Sequence, residues 1–197
     1  MTADRETLRV YGKEVDRYAG LTEDLDRLPA LVDFIARLPR GGHALDLGCG
    51  PGWAAARMAA DGLRVTATDA TPEMVTMAAN APGVTAQLAT FDDIDGVDLY
   101  DGIWAHFSLL HAPRADLPRH LAALATALKP GGWFHIGMKT GTGEKRDPLG
   151  RRYTYVTEDE LDNLLRTAGL TPRESETGEE VGLDGVLAPW VTILARG

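Results

Sequence analysis

The stretch Ala44-Leu45-Asp46-Leu47-Gly48-Cys49-Gly50-Pro51-Gly52 decides the fold. A short apolar strand is predicted at His43–Leu47, and a helix over 53–61 follows the glycines. At the carboxyl end of a strand in an open α/β sheet, such a turn is where nucleotide-like ligands bind, because glycines let the backbone approach a ligand closely. Asp69 ends the next predicted strand, 21 residues beyond Gly48. That spacing is close to the roughly 20 residues expected for a carboxylate that accepts hydrogen bonds from ribose hydroxyls.

The turn departs from the fingerprint of dinucleotide-binding proteins. A G-x-G-x-x-G pattern that starts at Gly48 needs glycine where Trp53 stands, and one that starts at Gly50 needs it where Ala55 stands. The third glycine of that fingerprint allows close helix–strand packing beside a pyrophosphate. The spacing G-x-G-x-G after Asp46 therefore favours a ligand with ribose and adenine but no pyrophosphate.

Strand-like and helix-like segments alternate along the chain, which predicts one α/β domain over residues 1–197 with helices on both faces of a mostly parallel sheet. Its parts are an N-terminal helical lead-in (1–40), a cofactor-binding half (41–140), and a substrate-side loop with the C-terminal antiparallel strands (141–197). The predicted strands are 43–47, 64–69, 84–88, 99–105, 133–138 and two antiparallel strands within 170–197, the last at 190–195, joined by a polar stretch at 175–185. The predicted helices are 22–38, with Pro29 as a kink or break, 53–61, one that starts at Pro72 after a Thr71 cap, 115–128, and one after the capping box Thr157–Glu160. Residues 139–152 are predicted to form a loop.

Composition excludes several classes of protein. The 197 residues carry a formal net charge of −9, with 44% hydrophobic and 25% charged residues, which argues against a disordered chain and against a general nucleic-acid binder. No apolar run approaches the roughly 18 to 20 residues that span a membrane, and Met1–Val10 lacks the apolar core of a signal peptide. The single Cys49 cannot form an internal disulfide, and no Cys/His spacing indicates a metal site. We therefore expect a cytoplasmic protein with no metal, membrane or nucleic-acid partner.

Four ordered motifs resemble those of the class I S-adenosylmethionine-dependent methyltransferases. They are Leu45–Gly52, Thr68–Met74, Asp101–His111 and Leu128–Trp133. The resemblance implies a Rossmann-like sheet of seven strands in the order 3-2-1-4-5-7-6, with only strand seven antiparallel. Residues 139–144 and 150–154 also resemble a group of small bacterial methyltransferases described as tellurite-resistance-like.

The resemblance also implies which residues contact S-adenosylmethionine. The glycine turn would surround its methionine portion, Asp69 would hold the ribose hydroxyls, and residues 90–92 would lie beside the adenine, with Asp93 as a competing choice. Tyr18 would close over the methionine end. The expected cofactor-binding set is Tyr18, Asp46, Gly48, Cys49, Gly50, Asp69, Ala70, Thr90, Phe91, Asp92 and His106.

Two histidines are the candidate catalytic residues. Methyl transfer from a sulfonium is an in-line displacement, so a general base is needed only if the acceptor must lose a proton. His106 and His111 follow the fourth predicted strand, and imidazole titrates near neutrality. Residues 105–108 lack the Asn/Asp-Pro-Pro-aromatic stretch often used for base and glutamine methylation, so a nucleic-acid adenine methyltransferase of that kind is not expected.

Residues 139–152 carry a local net charge of +3 and three glycines. One interpretation is a mobile lid that attracts a small anionic substrate; the other is a solvated loop whose charges pair locally with acids. The tentative substrate residues are Lys139, Arg151, Arg152 and Tyr153. The sequence thus predicts a methyltransferase for a small-molecule acceptor, as a monomer or homodimer. The alternatives are a catalytically inactive cofactor-binding partner protein and an NAD(P)-dependent oxidoreductase.

Overall fold

A seven-stranded sheet lies at the centre of the computed structural model, which describes residues 3–22 and 28–197. Its strands are β1 (His43–Leu47), β2 (Arg64–Asp69), β3 (Val84–Leu88), β4 (Tyr100–His106), β5 (Leu128–Lys139), β8 (Thr171–Val181) and β9 (Leu187–Arg196). They lie in the order β3-β2-β1-β4-β5-β9-β8, and only β9 pairs antiparallel with its neighbours. This confirms the predicted order. The numbering differs because a separate two-stranded hairpin, β6 (Glu144–Arg146) and β7 (Arg152–Thr154), lies between β5 and β8 in the chain.

Helices cover both faces of the sheet. They are α1 (Arg5–Lys13), α2 (Val15–Leu21), α3 (Pro29–Ala36), α4 (Trp53–Ala60), α5 (Pro72–Ala78), α6 (Leu117–Ala127) and α7 (Glu158–Thr167). Successive strand residues point to opposite faces, so β1 and β4 each supply two cores. Leu45 and Ile103 pack with α6 and α7, whereas Ala44 and Trp104 pack with α3 and α4.

Parallel strands also bring the functional segments together. The carboxyl ends of β1, β2 and β4, at Leu47, Asp69 and His106, meet at one edge of the sheet. The glycine turn that follows β1 therefore lies beside the segments that follow β2 and β4, as the sequence predicts for an open α/β sheet.

Three predicted segments differ from the structure. The predicted helix 22–38 begins at Pro29, because proline suits the first helical position; residues 23–27 of that prediction lie outside the described residues. Residues 175–181 of the predicted polar connection belong to β8, an edge strand whose exposed polar side chains give no apolar alternation. The predicted loop 139–152 contains β6, and its two end residues, Lys139 and Arg152, belong to β5 and β7.

Smaller differences concern element ends. β5 begins at Leu128 rather than at Trp133, because Leu128 pairs with Tyr100 before a β-bulge. Thr71 occupies the N-cap of α5, but its side chain forms no capping hydrogen bond; the Asp69 carboxylate accepts from the Thr71 N–H instead, at 2.8 Å. No helix among the described residues is long and apolar enough to cross a membrane.

Candidate active site

A first cavity of about 740 Å³, open to solvent, lies between α1 and the carboxyl ends of β1, β2 and β4. It takes one wall from the glycine turn, one from the segment after β2 and one from the segment after β3. Its lining residues include Thr7, Leu8, Tyr11, Tyr18, Gly48, Gly50, Asp69, Ala70, Met74, Thr90, Phe91, Phe107, Ser108 and His111.

The glycine turn lines this cavity with backbone alone. Gly48 has a φ of 69°, and a Cβ there would stand 2.3 Å from Cβ of Ser108. Gly50 has a φ of 53° and would place a Cβ 3.3 Å from the Tyr18 ring. Positive φ and close approach both require glycine. A side chain at either position would therefore crowd Ser108 or Tyr18, so the turn can border the cavity only as glycine backbone.

Asp69 faces the cavity at the end of β2. Its two carboxylate oxygens accept hydrogen bonds from the backbone N–H groups of Gly50 (2.9 Å) and Thr71 (2.8 Å). Burial raises the pKa of Asp69, while these hydrogen bonds favour the charged form. Each carboxylate oxygen has more than one acceptor site. Asp69 is thus fixed in place with acceptor capacity left for two neighbouring hydroxyls.

Asp46, near the end of β1, and Cys49, in the turn, are not on the cavity wall. Asp46 is buried, and its Oδ2 has no hydrogen-bond partner among the described residues. Burial raises the pKa of Asp46 to about 7, although the N–H of Ala55 in α4 partly offsets the rise. Cys49 is also buried, and its thiol lies 3.5 Å from the carbonyl oxygen of Gly50. The structure therefore places both behind the turn, as supports for it.

The far end of the cavity is formed mainly by apolar side chains. Ala70, Thr90 and Phe91 line it, as the sequence predicts, together with Met74. Asp92 is not on this wall: its carboxylate accepts from Arg119 at 2.7 Å. The competing Asp93 caps the turn, since its Oδ2 accepts from both the N–H and the hydroxyl of Thr90 at 2.8 Å. Neither carboxylate therefore reaches the predicted adenine position.

A second cavity of about 860 Å³ adjoins the first. Four residues line both cavities: Tyr11, Tyr18, Phe107 and His111. The other lining residues of the second cavity include Leu21, His106, Leu110, Lys139, Arg151, Tyr153, Glu180, Leu183 and Trp190. The two spaces thus meet at the end of β4, beneath α1 and α2.

The two candidate histidines lie on different walls. His111 faces both cavities; its Nε2 is 2.9 Å from the Tyr11 hydroxyl and its Nδ1 is 2.6 Å from the Arg152 carbonyl oxygen. His106 lines only the second cavity, and its Nδ1 is 3.0 Å from Nε2 of His135. Burial lowers the pKa of each of His106 and His111 to about 4. His106 is therefore absent from the predicted cofactor wall.

The basic residues after β5 are held in place by acids. Arg151 is 1% exposed, and its guanidinium pairs with Asp147 at 2.7 Å. Arg146 donates two hydrogen bonds to Asp4, at 2.8 and 2.9 Å, which joins the hairpin to α1. Local pairing with acids, the second of the two interpretations, therefore accounts for these two arginines.

The four tentative substrate residues separate into two groups. Lys139, Arg151 and Tyr153 line the second cavity. The Arg152 side chain lies outside it, 3.7 Å from Asp4, and only its carbonyl oxygen reaches His111. Nζ of Lys139 lies over the Tyr153 ring, 4.4 Å from its centroid, and forms no ion pair within residues 3–22 and 28–197. The carboxylates of Asp184 and Asp147 attract its charge electrostatically from a longer distance.

Sequence reasoning missed several lining residues. Ser108 follows β4; its hydroxyl is buried on the wall of the first cavity and has no hydrogen-bond partner among the described residues. Tyr11 gave one signal, its spacing of seven residues from Tyr18, and the two rings meet edge to face at 5.1 Å. The sequence carried no comparable signal for Trp190 and Phe107, because aromatic residues near strand ends are usually core residues.

The first cavity fits S-adenosylmethionine. The glycine turn borders the cavity with its backbone beside a fixed carboxylate, the far end is apolar, and the buried Ser108 hydroxyl lacks a partner in the described structure. Asp69 would hold the ribose, and Ala70, Met74 and Phe91 would surround the adenine. No group of three or more His, Cys, Asp or Glu residues in the described ranges could hold a metal ion.

Comparison with known proteins finds methyltransferases, which agrees with the fit of S-adenosylmethionine to the first cavity. Residues 44–132 match a methyltransferase domain family. The chain is 33% identical over 166 residues to the ubiquinone biosynthesis O-methyltransferase of Xanthomonas axonopodis pv. citri (72% of this chain, 69% of that protein). It is 32% identical over 160 residues to the O-methyltransferase cnsE of Penicillium expansum (73% of this chain) and spans 57% of that relative's length.

A solved structure is also similar over the whole chain. It is that of 1,6-didemethyltoxoflavin-N1-methyltransferase from Burkholderia thailandensis with bound 1,6-didemethyltoxoflavin and S-adenosylhomocysteine. The TM-score is 0.77 and the identity 27%, with 100% of this chain and 91% of that chain covered. The chain belongs to the class I S-adenosylmethionine-dependent methyltransferases.

Proposed function

We propose that the chain transfers the methyl group of S-adenosylmethionine to a small-molecule acceptor bound in the second cavity. One observation carries this proposal: the two cavities share a wall of four residues, Tyr11, Tyr18, Phe107 and His111. In-line transfer needs the acceptor atom about 3 Å from the methyl carbon. Contiguous cavities allow that approach, and an open second cavity with polar groups favours an enzyme over an inactive cofactor-binding protein.

The residues that line the two cavities have different roles in this reaction. When bound, S-adenosylmethionine supplies a methyl group already activated on a sulfonium. Asp69 holds the ribose hydroxyls and the backbone of Gly48 and Gly50 surrounds the methionine portion. Tyr18 closes over the junction from α2 and limits the entry of water. The protein thus acts mainly by positioning and by exclusion of solvent.

Lys139 is the feature that favours an anionic acceptor. The charge of Arg151 is balanced by Asp147, whereas the ammonium of Lys139 has no ion-pair partner in the described part of the chain. Burial lowers the pKa of Lys139, so a bound anion would stabilise its charged form. Glu180 on the same cavity would repel a large polyanion. A small acceptor with one acidic group fits this arrangement.

Two measurements test the proposed function. S-adenosylhomocysteine should bind in calorimetry while NAD does not, which separates a methyltransferase from an oxidoreductase. A turnover screen that detects S-adenosylhomocysteine should then find activity in a panel of phenols, amines, thiols and small carboxylates. Lys139→Met should weaken the binding of anionic acceptors, and Lys145→Met, a lysine of β6 outside both cavities, is the matched control. Binding of NAD in place of S-adenosylhomocysteine would overturn the proposal.

A further inference from the structure

The second cavity extends away from its junction with the first, between α2 and the β8–β9 hairpin. Tyr18 lines both cavities, whereas Leu21, three residues later and about 4.5 Å further along α2, lines only the second. Val181, near the tip of the β8–β9 hairpin, lines the side that the hairpin forms. Arg17 of α2 donates a hydrogen bond to the Leu183 carbonyl oxygen at 2.9 Å, which joins the two sides. The cavity therefore has an inner end at Tyr18 and an outer end at Leu21 and Val181.

The ammonium of Lys139 lies between these two ends. Its Nζ is 4.4 Å from the centroid of the Tyr153 ring, and that centroid is 4.8 Å from the centroid of the His111 ring at the junction. On the other side, a Cβ added at Gly182 would stand 3.3 Å from the same Nζ, and Gly182 directly follows Val181. An acceptor that reacts at the junction therefore passes Lys139 before it reaches the outer end.

The outer end is apolar and open to solvent. Leu21 is 61% exposed and Val181 is 59% exposed, although both line the cavity. Leu187 is 56% exposed and pairs directly with Val181 across the β8–β9 hairpin, so the two side chains are neighbours on one face. Leu21, Val181 and Leu187 together form an apolar rim at the mouth of the cavity. Exposed apolar side chains grouped beside a cavity indicate a surface that a ligand or partner covers.

The charges beside the apolar rim decide between the possible occupants. Glu179, Glu180 and Asp184 lie on the same hairpin, and the first two are exposed. A second copy related by a two-fold axis would bring the same carboxylates against these, and like charges repel. An anionic membrane surface would be repelled for the same reason. Uncharged methylene groups meet neither penalty. The surface therefore fits part of the acceptor itself.

We propose that the acceptor carries an aliphatic tail, which leaves the second cavity beyond Lys139 and lies on the apolar rim. The reacting atom stays at the junction of the cavities, and an acidic group of the acceptor pairs with Lys139. Full burial of a methylene group corresponds to about a fourfold gain in affinity. A tail on an open rim is about half covered, so each methylene gains about twofold. This inference rests on the proposed function and adds the tail to its acceptor class.

The test measures affinity against chain length. The full chain with S-adenosylhomocysteine bound is titrated with butanoate, hexanoate and octanoate, and with the straight-chain alcohols of the same lengths, by NMR. We expect a gain of about twofold per methylene in both series, so that octanoate binds about fifteenfold more tightly than butanoate. The gain with length tests the tail. The difference between carboxylates and alcohols of equal length separately tests the role of Lys139.

Substitutions on the apolar rim locate the tail. Leu21→Ser and Val181→Ser should each reduce the gain per methylene and leave the affinity for butanoate unchanged. Both residues are mostly exposed, so these changes should affect stability little. Leu88→Ser changes a leucine of β3 that is also 61% exposed but lines neither cavity, and this control should retain the gain.

Each outcome has one meaning. If S-adenosylhomocysteine does not bind the wild-type chain, the proposed function fails and this inference falls with it. If it binds but no probe does, if affinity is independent of chain length, or if both variants keep the full gain, this inference alone is overturned. A dimer in sedimentation that Leu21→Ser dissociates would also overturn it, because a second copy would then cover the rim.

A measurement on the wild-type chain covers the case in which the variants fail to fold. Octanoate should shift the methyl resonances of Leu21 and Val181, whereas butanoate should not. The methyl groups of Val97, which is exposed but lines neither cavity, should stay unshifted with both probes. Rim resonances that octanoate leaves unchanged would overturn the inference.

Discussion

At the residue scale, Asp69 tests the assignment of the first cavity. Asp69→Ala removes the carboxylate that faces the ribose position and holds the N–H of Gly50. We expect binding of S-adenosylhomocysteine to weaken by about 1–3 kcal/mol, since two ribose hydroxyls lose their acceptor. Calorimetry measures the change. Asp162→Ala, which removes a carboxylate paired with Arg166 on α7, is the control. Unchanged binding in Asp69→Ala would contradict the ribose assignment.

Asp46 predicts a pH dependence of stability. Its pKa is raised by burial to about 7, above the ordinary value of about 3.9 for the unfolded chain. Between these two values the folded state binds the proton and the unfolded state does not. The free energy of unfolding therefore falls as pH rises from about 4 to 7, by up to about 1.4 kcal/mol per pH unit from this group.

Asp46→Asn removes this titration. Asparagine resembles the protonated acid, so the stability of the variant relative to wild type should rise between pH 5 and pH 8. Urea denaturation of both proteins at the two pH values, without cofactor, measures the difference. Other titrating groups are common to both proteins and cancel. An equal difference in the free energy of unfolding at both pH values would show that Asp46 is already ionised at pH 5.

At the scale of elements, the β6–β7 hairpin holds α1 over the first cavity. Arg146 binds Asp4, the N-cap of α1, and the backbone N–H of Arg152 donates to Thr7 at 2.9 Å. Arg146→Ala should loosen α1 only modestly, because Arg146 is exposed and solvent screens its pair with Asp4.

Hydrogen exchange of the α1 amides measures this effect. Their exchange should become faster in Arg146→Ala and remain unchanged in Arg166→Ala, which breaks an ion pair confined to α7. High salt should reduce the difference between Arg146→Ala and wild type. Equal exchange of α1 in both variants would show that the hairpin does not hold this helix.

The sequence predicted elements well where local patterns and burial agree. β1 and β2 have the predicted bounds, and α4 ends one residue earlier than predicted. The prediction succeeds in this region because an apolar run, a glycine turn and a change from apolar to polar residues coincide there. β8 was partly missed because it is an edge strand with mostly exposed polar residues. The β6–β7 hairpin was missed because its three-residue strands are stabilised by contacts with α1 that lie far away in sequence.

At the scale of the whole molecule, the two cavities differ in how far sequence could predict them. The first is built largely from one local motif and the ends of adjacent strands, so Gly48, Gly50 and Asp69 were found from spacing. The second joins α1, the turn after β4, the hairpin and β9. Tyr11 meets His111 across 100 residues and Arg151 across 140. A local sequence pattern cannot indicate contacts between residues so far apart in the chain, so Tyr11 was not recognised as a site residue.

A crystal structure of the chain with S-adenosylhomocysteine tests the central claim most directly. The account predicts ribose hydroxyls within hydrogen-bond distance of Asp69, adenine beside Phe91 and Met74, and the sulfur at the wall that Tyr11 and His111 share with the second cavity. A nucleoside bound with its ribose away from Asp69, or a sulfur with no open path to the second cavity, would contradict it.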